Sequence, residues 1–331
     1  MIPGQLQPNQ GVPTMQRKHM LFRSTVLMAG LLACSLIAQP LSAQESTGAV
    51  IGNEATKSLS TLEAVTNRGS LRVGVNPNFV PFSYENEAGK RTGTDIDMAT
   101  KLADALGVKP EIIVPEAFGE LIPMLQTDRV DVVMAGMSIT FDRSKVVNFT
   151  EPYFDTGISI LGNIALLSRL GISRPESSQA FLDDVDAKGV GNRLTIAVTE
   201  GKAPQQVAAV LFPQAKIIGF PSNADAAEAT LRGDAHLMLH DEVFLKVWLR
   251  DNAKRAGIRL RVIDPPVKPD VYGIAVRKGD WEWLQLLNVF VRDLRRNQEV
   301  IKLLTSYLPS IDKHALSEKA LLRFDAQGMD D

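Results

Sequence analysis

The alternation of short apolar strands with amphipathic helices constrains this chain more than any other feature. A strand over 71–75 precedes a helix over 95–106, a strand over 111–114, a helix over 119–127 and a strand over 131–135. In the first helix Ile96, Ala99, Leu102, Ala103 and Leu106 recur at helical spacing, and Gly107 stops it. Strands separated by a helix pair in parallel, so β-α-β-α-β predicts a parallel sheet with helices packed on it. The pattern repeats as strand 194–198, helix 204–211, strand 216–219, helix 223–232 and strand 235–239, the last ending at His240 and Asp241. With 331 residues there is room for two such units. Between them 158–167 reads as extended chain, and 168–192 as a long irregular stretch with a helix at 181–186. Beyond them come a helix to 255, strands at 259–263 and 271–276, and helices over 281–294 and 298–307. Pro265, Pro266 and Pro269 mark the place where the chain crosses back, because proline stiffens a linker and cannot donate to a sheet.

The N-terminus has a different character. Arg17, Lys18 and Arg23 precede an apolar stretch over 26–38, and Leu41-Ser42-Ala43 has the form of a cleavage site. Residues 1–43 therefore read as a secretory signal peptide, 44–58 as a linker and 311–331 as a C-terminal tail. The sole cysteine, Cys34, lies within that signal, in Leu31-Leu32-Ala33-Cys34, which resembles a lipobox. Cleavage after Ala43 and a periplasmic location are expected, with lipid anchoring at Cys34 as the alternative. Either way no disulfide or thiol chemistry is expected in the fold. A net charge of -2 gives no basic excess for nucleic acid.

The stretch VVMAGMSITFDR, 132–143, stands out chemically. A buried strand breaks at Gly136, turns polar at Ser138 and Thr140, and ends at Arg143 on a short helical turn. Hydroxyls, backbone N–H groups and a guanidinium fork together suit a carboxylate. Ligands in open α/β sheets collect beyond the carboxyl ends of strands, where this loop falls. The same residues also fit a strand, a turn and a surface arginine.

Further residues stand in a recognisable order. They are Phe79-x-Pro81-Phe82, Gly93-x-Asp95-x-Asp97, Asp131 through Arg143, Phe149-Thr150-Glu151-Pro152-Tyr153, Leu231-x-x-Gly233-Asp234 and Asp241. Together they resemble the family 3 extracellular solute-binding proteins, the polar amino-acid receptors of ABC importers, and within them the glutamine-binding proteins. The resemblance implies a periplasmic-binding-protein-like type II fold: two α/β lobes joined by a two-segment hinge. Lobe 1 would be 59–157 and 268–310, and lobe 2 would be 158–267. It implies that Arg143 binds an α-carboxylate, with Ser138 as an added donor. Gly136 would offer its carbonyl to the α-ammonium, and Asp241 would pair with that ammonium or cap the following helix. Phe79 and Phe118 would cover the ligand's aliphatic part. The loop Thr199, Gly201, Lys202 and Ala203 would close from the second lobe. His240 is a neighbour of second rank. The chain departs from its relatives at Asn76, where an acid is common, and at Gly201-Lys202, where Gly-Thr is usual.

The resemblance implies a monomer that takes an amino acid and hands it to a membrane-embedded ABC permease, with no cofactor, no metal and no catalysis. The alternative on the same scaffold is an exported cyclohexadienyl or arogenate-type dehydratase, in which Glu200 and Lys202 would serve as acid and base.

Overall fold

Ser60 starts the first helix of the described residues with a capping box. Its hydroxyl accepts the Glu63 N–H, and the Glu63 carboxylate accepts the Ser60 N–H at 2.8 Å. A computed structural model describes residues 59–173 and 175–308. The expected signal, linker and tail lie outside the described residues.

The first half runs α1 (Thr61–Arg68), β1 (Ser70–Gly74), a hairpin of β2 (Tyr84–Glu85) and β3 (Arg91–Thr92), and α2 (Thr94–Leu106). It continues through β4 (Lys109–Ile113), α3 (Leu121–Gln126), β5 (Val132–Val133), α4 (Phe141–Ser144) and β6 (Val147–Phe149). The second half contains β7 (Phe154–Asn163), α5 (Ile164–Arg169), α6 (Ser178–Ala187), β8 (Thr195–Thr199), α7 (Ala203–Leu211) and β9 (Lys216–Phe220). There follow α8 (Asn223–Arg232), β10 (Leu237–Asp241), α9 (Glu242–Asp251), α10 (Ala253–Ala256) and β11 (Leu260–Tyr272). The chain ends in β12 (Ala275–Arg277), α11 (Trp281–Arg296) and α12 (Glu299–Tyr307).

Two five-stranded sheets result among the described residues, ordered β4-β1-β5-β12-β6 and β11-β7-β10-β8-β9. In each, the strands of the repeated β-α-β-α-β unit pair in parallel. The late strand β12 enters the first sheet antiparallel, and β11 joins β7 antiparallel in the second. Val73, Val132, Val133 and Met134 are fully buried, as central strands covered on both faces require. The molecule is thus two α/β lobes, each with its own sheet.

The chain passes between the sheets twice, from β6 to β7 and from β11 to β12. The two passages are bonded to each other. Tyr153 N–H donates to the Tyr272 carbonyl at 2.8 Å, Thr150 N–H to the Ile274 carbonyl at 3.0 Å, and Ile274 N–H to Thr150 Oγ1 at 3.0 Å.

Three local expectations need correction and one is borne out. The extended run over 158–167 begins earlier, at Phe154, and stops where the Asn163 side chain accepts the Leu166 N–H and caps α5. The helix expected over 181–186 is present as α6, begins earlier behind its cap Ser177, and sends Phe181 and Val185 into the second lobe's core. The strand expected over 271–276 is two strands in different sheets, parted at Gly273 and Ile274. Pro265, Pro266 and Pro269 do not mark the crossing. They lie within β11, where its register against β7 slips between Ile263 and Lys268.

Candidate functional site

The loop after β5 shapes the cleft from the first lobe. Gly136 is left-handed at φ 54, and a Cβ there would lie 2.5 Å from Phe79 Cε1. Glycine is therefore required so that the Phe79 ring can lie on the loop backbone. That ring is buried and packs against Phe82 at 4.7 Å, His240 at 5.5 Å and Tyr272 at 6.2 Å between centroids. Gly136 N–H donates to Tyr153 Oη at 3.1 Å, and Tyr153 donates to Asp95 at 2.9 Å. Burial pushes the Asp95 carboxyl up to about 7, opposed by the Tyr153 hydroxyl.

Thr140 caps the one-turn helix α4, accepting the Arg143 N–H at 3.3 Å. That turn aims the Arg143 side chain across the cleft. Its Nη1 donates to the Ser138 carbonyl at 2.9 Å, and its Nη2 to the Gly201 carbonyl of the opposite lobe at 3.0 Å. Its guanidinium also lies 5.3 Å from the Phe118 ring centre. Loss of hydration lowers its pKa to about 10, against the pull of Asp270. The Ser138 hydroxyl donates to Asp270 at 2.6 Å.

Asp241 faces them from the second lobe. It ends β10 and caps α9, accepting the Phe244 N–H at 3.0 Å, the Thr156 hydroxyl at 2.5 Å and the Tyr272 hydroxyl at 2.6 Å. Burial raises its pKa, and these three donors oppose the rise. A carboxylate has about four lone-pair sites, so one acceptor position remains. Beside it Asn223 accepts from Thr199 at 3.0 Å, lies 3.0 Å from His240 Nε2 and donates to the Asn78 carbonyl at 3.1 Å. His240 is kept neutral by burial, with Lys202 adding to the effect.

Lys202 precedes α7 and is only 7% exposed. Its Nζ lies 4.7 Å from the Phe79 ring centre and 4.8 Å from that of Phe118. Burial, and then Arg143, lower its pKa to about 7.

Phe79, Phe118, Gly136, Ser138, Arg143, Lys202, Ala203 and Asp241 line one cavity of about 20 Å³, space for about one water. Thr199 and Gly201 do not line it. Thr199 is turned toward Asn223, and Gly201 contributes its carbonyl to Arg143. His240 lines the cavity as well. Asn76 turns away, donating to the Ala135 carbonyl at 3.2 Å. Glu200 is exposed and its side chain packs beside Gly219, outside the cleft. An opening of about 630 Å³ adjoins the cavity and shares Ile158, Ala203 and Asp270 with it.

Asp270 and Tyr272 escape a reading of the sequence, although both line the cavity. The available signal was a polar residue and a tyrosine at the end of a strand that follows prolines. Among the described residues no group of His, Cys, Asp and Glu could hold a metal, and no helix is long and apolar enough to cross a membrane.

The arrangement offers a cationic pole at Arg143 and Lys202, an anionic pole at Asp241 and aromatic walls between them. It can hold a small zwitterion. Residues 71–310 match the bacterial extracellular solute-binding proteins, family 3. A cyclohexadienyl dehydratase from Pseudomonas aeruginosa is 32% identical over 58% of this chain and 66% of its own length. A glutamine-binding protein from Geobacillus stearothermophilus is 28% identical over 77% of this chain and 91% of its own. Among solved structures, an ancestral amino-acid-binding protein, described as a precursor of cyclohexadienyl dehydratase, superimposes with a TM-score of 0.63 at 32% identity. That match covers 75% of this chain and 99% of the other. The two lobes accordingly have the type II arrangement of the periplasmic amino-acid-binding proteins.

Proposed function

This chain belongs to the bacterial extracellular solute-binding proteins, family 3, and from that premise we propose that it captures a polar amino acid between its lobes and delivers it to a membrane-embedded ABC permease. The observation that carries this reading is the opposition of Arg143 and Asp241 across one cavity walled by Phe79 and Phe118. Arg143 takes the α-carboxylate with its guanidinium fork. The remaining acceptor position of Asp241 takes the α-ammonium. Because the two residues come from different lobes, a ligand touching both favours the closed form. The proposal takes the lobes as divided at the two crossings, near Phe154 and Gly273, beside the expected bounds of 157 and 268. Export by residues 1–43, residence in the periplasm and action as a monomer complete the proposal. Calorimetric titration against the twenty amino acids tests it. Saturable binding of one or a few, lost in Arg143→Ala, is the expected result. Absence of binding by all twenty would overturn it.

One observation favours a second reading, an exported dehydratase. Lys202 is held to about 7 inside the cleft, where an amine can give or take a proton near neutral pH. The dehydratase relative adds to this. The position of Glu200 outside the cleft counts against the acid–base pair expected for it. Incubation with cyclohexadienyl acids separates the two: turnover supports the enzyme, and amino-acid binding without turnover supports the receptor.

A further inference from the structure

Lys202 sits where a ligand's side chain would otherwise pack. Its Nζ is held between two aromatic rings, 4.7 Å and 4.8 Å from their centres. Such contacts favour a cation but accept none of the three ammonium protons. Among the described residues Lys202 forms no ion pair, and the charge of Asp241 acts on it without a hydrogen bond. The two acids of the cleft are already supplied with donors, Asp241 by Thr156, Tyr272 and Phe244, and Asp270 by Ser138 and Val271. Arg143 shares the Phe118 ring with Lys202 and donates only to backbone carbonyls. Two cations thus gather around one ring, and neither has a direct carboxylate partner. An amino acid with a neutral side chain brings one carboxylate, which Arg143 takes, and leaves Lys202 unmatched. An arginine or lysine side chain would meet an aromatic slot already filled by a like charge.

We infer that Lys202 is the specificity-determining residue of the cleft and that it selects amino acids carrying a second carboxylate, which takes the ammonium from between Phe79 and Phe118 as its counter-ion. The inference rests on the receptor reading above and adds the ligand class to it. Pairing with a carboxylate raises an amine's pKa, and that of Lys202 starts near 7. Binding of the acidic ligand at pH 8 is therefore accompanied by proton uptake. The other charged or titratable groups facing this space are Arg143, Asp241, Asp270, His240 and Tyr272, so the uptake is assigned by comparison with Lys202→Met.

Titration calorimetry of wild type and Lys202→Met with glutamate, aspartate, glutamine and arginine, in two buffers of different ionisation enthalpy, tests the inference. Wild type is expected to bind an acidic amino acid at least about tenfold more tightly than glutamine or arginine. The variant is expected to lose that preference and the proton uptake, its affinity for the acidic amino acid falling at least about tenfold, to the level of glutamine or arginine. A wild type that prefers glutamine or arginine, or a preference unchanged in Lys202→Met, overturns the inference and leaves the receptor reading standing. No binding of any of the four by either protein overturns the inference, and silence across all twenty amino acids overturns the receptor reading as well. Thermal unfolding of the variant confirms that it is folded. Lys202→Arg, which keeps the charge, is expected to keep the acidic preference.

Discussion

The two poles of the cleft are built differently. Every hydrogen bond to the Asp241 carboxylate comes from β7, α9 or the end of β11, all on the second lobe's side. The cationic pole exists only where the lobes meet. Arg143 of the first lobe reaches the Gly201 carbonyl of the second, and Lys202 of the second reaches two rings of the first. One pole is therefore organised before any ligand arrives, and the other is assembled by closure. Under the proposed function, a ligand's ammonium finds its site on an open molecule, whereas its carboxylate binds in full only as the lobes come together.

The sharpest way to break this contrast is to remove one pole at a time. Asp241→Ala takes the cap from α9 and orphans two buried hydroxyls, so it should cost about 2–4 kcal/mol of stability and abolish amino-acid binding. Thermal unfolding and titration read the two losses separately. Arg143→Ala should weaken binding by about 3 kcal/mol, over a hundredfold, with a melting temperature close to wild type. Equal destabilisation by both substitutions would erase the distinction between a pole inside one lobe and a pole across two. Tyr272→Phe removes one donor from Asp241 and should cost about 1 kcal/mol, again in stability before affinity.

The smallest effect is one of pH. The Lys202 pKa, near 7 in the fold, lies below its ordinary 10.5. The unfolded chain then binds more protons between about pH 7 and 10.5, and wild-type stability rises with pH across that window. Lys202→Met lacks this response. Its advantage in melting temperature should be largest below pH 7 and narrow toward pH 10. A gap independent of pH would mean that the ammonium is not desolvated in the ligand-free protein.

Legibility in the sequence follows the same divide between local and distant causes. Phe79, Gly136, Ser138 and Arg143 come from short stretches whose residue order carries their arrangement, and Asp241 ends a strand of the repeated unit. Asp270 and Tyr272 enter the cleft because β11 runs antiparallel along β7, a pairing over a hundred residues in sequence that leaves no local mark. The prolines misled for a related reason. Proline is tolerated at sheet edges, and β11 is the edge strand of its sheet, so stiff residues there did not signal a linker. Helix α6 was partly hidden because Gly171 and Pro175 surround its approach with turn residues. Its cap Ser177, with Phe181 and Val185 four residues apart, was the signal available. Gly136 was expected for its carbonyl, and the structure adds a second reason for glycine there, the room it makes for Phe79.

The cross-bonded passages between the sheets carry one last consequence. Strands joined by Tyr153–Tyr272 and Thr150–Ile274 contacts cannot bend independently. The closure proposed above is then expected to follow a single mechanical coordinate, and spin labels at several sites across the cleft should report distances that change in step. If it is the receptor proposed above, a molecule with one such coordinate announces its cargo only as open or shut. Any compound able to shut it sends the same message, so discrimination among cargoes has to be finished inside the cleft, before anything downstream inspects the outer shape.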